Sequence, residues 1–156
     1  MYGSHMQEAA TPATSTRSLE RVLAIVGALV CLAVSVHVWN ALPPRQPRWP
    51  LPGLYVVEML VVSALGAFGL LRGDSRASQV GAALAWGAIG ALAAFSWMAA
   101  WSVGVFFMPV LVILLASAVL RDRRRHQGMA RHVGIGVAAA LAQLALMLVV
   151  ISLLDP

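Results

Sequence analysis

Between Ala77 and Leu120 the chain carries no charged residue, and this stretch restricts the possible folds more than any other feature. As one helix it would run about 66 Å at 1.5 Å per residue, roughly twice the hydrocarbon thickness of a bilayer. A soluble surface is no alternative, because only 11% of the residues are charged where soluble domains carry about 25%. In lipid the stretch must fold back, since backbone that crosses hydrocarbon has to satisfy its own hydrogen bonds as helix. The break is expected at Trp101-Ser102-Val103-Gly104, where glycine permits a turn and tryptophan favours the interface.

Apolar runs of membrane-crossing length recur along the sequence, 60% of which is hydrophobic. They place spans at about 19–39, 53–71, 77–101, 105–120 and 133–154. The predicted class is an all-α integral membrane protein, a bundle of about five transmembrane helices forming one domain over residues 18–156. Residues 1–17 lie outside it: Met1 to Met6 read as a cloning remnant, and Gln7 to Arg17 as a disordered Ala/Thr/Ser/Pro-rich stretch. Ser18 is expected to cap the first span, with Glu20 in its first turn. That span is too long for a signal peptide, and Trp39 stands where cleavage needs a small residue. Prolines from Pro43 to Pro52 make an extended connection, flanked by Trp39, Trp49 and Tyr55 as an interfacial aromatic belt. Arg121 to His126 is expected to end the fourth helix, and no extramembrane domain is expected at either end.

The net charge of +5 arises from arginine alone. These arginines flank apolar runs, so they point to topology and headgroup contact rather than to nucleic acid. An N-terminus inside puts Arg17, Arg21, Arg72, Arg76, Arg121, Arg123, Arg124, Arg125 and Arg131 on the inner face, against Arg45 and Arg48 outside. The positive-inside rule therefore predicts a cytoplasmic N-terminus and an outer C-terminus, in a bacterial inner membrane. Arg121, Arg123, Arg124, Arg125 and Arg131 are also candidates for anionic-lipid contact.

Glu58 is the one residue of fixed charge well inside a predicted span, where a charge is costly unless paired or neutralised. It reads either as a proton-responsive or ligand-binding carboxyl, or as structural hydrogen-bonding between helices. Depth arithmetic groups it with Ser35, His37, Ser96 and Gln143 in one polar layer of the outer half. Gly136, Ala139, Ala140 and Gln143 share a helical face suited to close packing. Trp86 and Trp97 fall near one phase, with Trp101 close to the same stripe. Trp97 and Trp101 suit the interface, and Trp86 a bundle contact. The single cysteine, Cys31, excludes an intramolecular disulfide and any thiol or zinc cluster. His37 and His132 belong near opposite faces, so no metal or haem shared by both, and no cofactor, is expected.

No catalytic motif is present. The leading expectation is therefore a non-enzymatic accessory or subunit protein, whose partners are the bilayer, other membrane proteins or a second copy of itself. The alternatives are a small-molecule or ion binding or transport protein built on Glu58 and His37, and a lipid-acting membrane enzyme with those two as acid and base. Reporter fusions at both termini test span number and orientation together: the N-terminal reporter should score inside and the C-terminal one outside.

Overall fold

The computed structural model describes residues 12–42, 49, 51–72, 77–100, 103–125 and 128–154. The described residues are helical apart from short turns. The helices are α1 (Pro12–Ala41), α2 (Leu51–Leu71), α3 (Ala77–Met98), α4 (Gly104–Arg125) and α5 (Met129–Leu154). All five are long and apolar enough to cross a membrane. The class expected from hydropathy, an all-helical bundle with five candidate spans, is the one observed.

Several boundaries differ from expectation. α1 starts at Pro12, a residue whose missing N–H costs least in a first turn. Glu20 therefore lies about two turns into the helix instead of beneath a Ser18 cap. α4 does not stop at Arg121 but continues to Arg125, as the high helix propensity of arginine allows. α5 begins at Met129, which places Arg131 and His132 in its first turn. α3 ends at Met98, and Gly104 N–H closes the following turn on the Ala99 carbonyl at 2.8 Å. Trp101, Ser102, Arg45, Arg48 and Arg76 lie outside the described residues.

Helices α1 to α4 form a closed bundle in which α1 packs on α2 and α4, and α3 packs on α2 and α4. α5 stands outside this ring, against α3. Pairing of Glu20 near the start of α1 with Arg124 at the end of α4 sets those two helices antiparallel. The core is apolar, with Met59, Leu92, Phe95, Phe107 and Leu114 fully buried. Phe95 and Phe107 meet edge to face with centroids 5.5 Å apart, an arrangement that adds to burial. Outward-facing Leu29, Leu32, Val112, Leu141 and Leu148 are exposed, as a lipid-facing surface requires.

Two close approaches explain the order of the helices. At Gly69 and Gly81, α2 and α3 come so near that a Cβ on either would overlap the carbonyl oxygen of the other. At Gly90 an added Cβ would overlap the Gly136 carbonyl of α5. Small residues at such crossings let backbones approach in lipid, where packing and polar bonds replace the hydrophobic effect as the source of helix association.

Gly90→Leu should unseat α5 and lower stability in detergent by about 1–3 kcal/mol, the usual range for overpacking. Gly134→Leu, where an added Cβ meets nothing within 4 Å, should not lower the thermal transition, since leucine is the better helix former.

Candidate functional site

Polar side chains gather in two places, the first at the end of α4. Ser117, Arg121 and Arg124 follow each other at helical spacing and reach two other helices. The Arg124 guanidinium forks onto Glu20 of α1, Nε to Oε1 at 2.8 Å and Nη2 to Oε2 at 2.9 Å. Ser117 Oγ donates to the Glu20 carbonyl at 3.0 Å. Buried Arg121 donates to the carbonyls of Gly69 and Arg72 at the end of α2. Last-turn carbonyls have no intrahelical partner and carry the negative end of the helix dipole, so a guanidinium is a fitting cap.

Asp122, on the adjoining face, connects the remaining two helices. Trp86 Nε1 of α3 donates to its Oδ2 at 3.0 Å, and His132 Nδ1 of α5 meets the same oxygen at 2.8 Å. Asp122 and His132 are both buried, and the other Asp122 oxygen, Oδ1, has no partner among the described residues. Trp86 thus has a hydrogen-bond partner in α4, a polar reason for its depth that aromatic patterning alone does not reveal.

The arginines named as candidates for lipid contact differ in their surroundings. Arg121 is buried and Arg124 is paired with Glu20, so both bond to protein rather than lie free on the surface. Arg123 and Arg131 are exposed, as headgroup contact requires, and the Arg125 side chain lies outside the described residues. Glu20 and Asp122 were missed as bundle residues. The available signal was their sign, since each is an isolated acid among arginines at the same end of the bundle.

The second place is in the other half. Gln143 Nε2 of α5 donates to Glu58 Oε1 of α2 at 2.8 Å, so two members of the expected layer meet. The others do not join them. His37 is exposed on α1, where its ring lies 5.7 Å from that of Phe106 of α4. Ser35 and Ser96 are buried; Ser35 lies beside the Cys31 thiol, and the Ser96 hydroxyl has no partner among the described residues. Helical phase and depth placed these side chains at similar height but could not reveal which helices are neighbours. Cys31 is buried and donates weakly to the Met59 carbonyl at 3.6 Å, consistent with a small packed side chain. The aromatic stripe also divides: Trp86 is 6% exposed and Trp97 is 77% exposed. α4 and α5 both reach α3 at Trp86, and neither covers it at Trp97.

The Glu58–Gln143 bond sits at a groove between α2 and α5. A volume of about 390 Å³ is lined by Tyr55, Glu58, Val61, Leu146 and Val150 among others. Val62 also lines a second volume of about 350 Å³, which runs over α3 past Leu65, Val80, Ala83 and Gly87. A carboxyl with an amide on one oxygen, in apolar surroundings, can bind a cation or a hydrogen-bond donor or carry a proton. No group of three metal-ligating side chains occurs among the described residues. Comparison with family models, curated proteins and solved structures finds no match.

Asp122→Ala removes the acceptor shared by Trp86 and His132 and should destabilise the protein by about 3 kcal/mol, as expected for breaking a buried polar pair. Arg123→Ala should change stability by less than about 0.5 kcal/mol, as surface substitutions do. Thermal unfolding of both variants in one detergent checks the contrast.

Proposed function

We propose that this chain is a non-enzymatic, multi-pass helical protein of the bacterial inner membrane, an accessory or subunit protein that acts through contacts made inside the bilayer. Its N-terminus is cytoplasmic and its C-terminus outside, as the arginine distribution favours. The observation that carries this reading is the use of the charged side chains at the end of α4. Arg121, Asp122 and Arg124 bond to α1, α2, α3 and α5, a use that suits scaffolding more than turnover.

The position of α5 supports the same view. It packs against α3 with one face and leaves Gly134, Ala138 and Ala142 exposed at four-residue spacing. Such a face lets a further helix approach closely in lipid. No contact between Glu58 and His37 among the described residues favours the lipid-enzyme alternative: Glu58 bonds to Gln143 of α5, and the His37 ring lies beside Phe106 of α4.

In a Cys31→Ala background, Ala142→Cys in native membranes should form cross-links to a second copy or to another membrane protein, and Ala138→Leu should suppress them. A protein that remains strictly monomeric and partner-free in native membranes and in mild detergent overturns the reading.

A further inference from the structure

The groove between α2 and α5 has one polar end. Glu58 lines it, and Gln143 bonds to one of its carboxyl oxygens without contributing charge. No described residue bonds to the second oxygen. Tyr55 lines the same groove three residues earlier, and its buried hydroxyl has no partner among the described residues. The free Glu58 oxygen, with Tyr55 three residues earlier in the same lining, therefore stands beside a volume otherwise bounded by apolar side chains. A carboxylate in hydrocarbon calls for a counter-charge, and an unpaired buried hydroxyl calls for a hydrogen-bond partner.

A protonated primary amine meets both demands, since it brings one positive charge and three donors. An alcohol would bring one donor and no charge, and a fatty carboxylate would repel Glu58. Beyond Glu58, Val62 borders both this volume and the second one, which lies over α3 at Ala83 and Gly87. From Tyr55 to Leu65 the two volumes together flank α2 for about 15 Å at 1.5 Å per residue, the length of a medium alkyl chain.

We propose that the α2/α3/α5 groove binds a single-chain amphiphile with a protonated amine head, its ammonium between Glu58 and Tyr55 and its chain along Val62, Ala83 and Gly87. This inference stands apart from the accessory reading, because the site is complete within one chain.

The test uses the full chain in nanodiscs of zwitterionic lipid. Photoactivatable dodecylamine is compared with the dodecanol and dodecanoate analogues carrying the same reactive group. The amine should label segments containing Val62 or Leu146, and unlabelled dodecylamine should compete for the site. Glu58→Gln preserves an acceptor for Gln143 but removes the charge, and should reduce labelling about tenfold, the minimum for one charge-assisted bond. Ala83→Leu, which fills the groove floor with Glu58 intact, should also reduce it. Equal labelling by amine and alcohol in the unaltered protein overturns the proposal, even if a variant fails to fold. So does a dimer in which a second copy occupies and protects the groove, or labelling indifferent to both substitutions in folded protein.

Discussion

Apolar helices gain little from leaving acyl chains for one another, so polar bonds and close backbone approach must hold a bundle together in lipid. Here the polar bonds concentrate at the end of α4. Over two turns, Ser117, Arg121, Asp122 and Arg124 reach every other helix: Glu20 of α1, the terminal carbonyls of α2, Trp86 of α3 and His132 of α5. The guanidinium of Arg121 is tolerated in a buried position because it meets orphan carbonyls at a helix C-terminus. Gly81 makes room for it, since an added Cβ there would come within 3.2 Å of Arg121 Nη2. The same glycine also permits the close approach of α2 and α3.

The two halves of the molecule are built differently as a result. At the arginine-rich end the helices are cross-tied by charge-assisted bonds. In the other half, apart from the Glu58–Gln143 bond, they rely on packing of aromatic and aliphatic side chains, with Phe95 between Tyr55 and Phe107. α5 has the fewest attachments: the glycine crossing on α3, the His132–Asp122 contact and the Gln143–Glu58 bond. Past the last of these, Leu146, Met147 and Val150 of α5 line the groove shared with α2.

The polar residues show where linear reasoning reaches its limit. Glu58 and Gln143 were legible as members of one polar layer because each is strongly polar inside an apolar run and both fall at similar depth. His37 has similar credentials in the sequence, yet it lies on an exposed face of α1. Arg124 looks like any basic residue beside a membrane until α1 is seen to begin at Pro12 and bring Glu20 alongside it. Trp86 and Trp97 share a helical phase but differ in what covers them, which depends on where α4 and α5 cross α3.

Hydropathy and the ban on unpaired backbone in hydrocarbon were enough, from the sequence alone, to establish the helical class, the five candidate spans and the need for a turn between the third and fourth. These are one-dimensional properties: length at fixed rise per residue, and presence or absence of charge. Which helices touch is a pairwise property, and only the tertiary structure decided it. The bundle of α1 to α4, the position of α5 on α3, the partners of Asp122 and Glu20, and the groove beside Glu58 all follow from that choice. Its physical origin is local, because backbones approach where opposed glycines leave no side chain in the way, and polar groups then bond to whatever those crossings bring within reach.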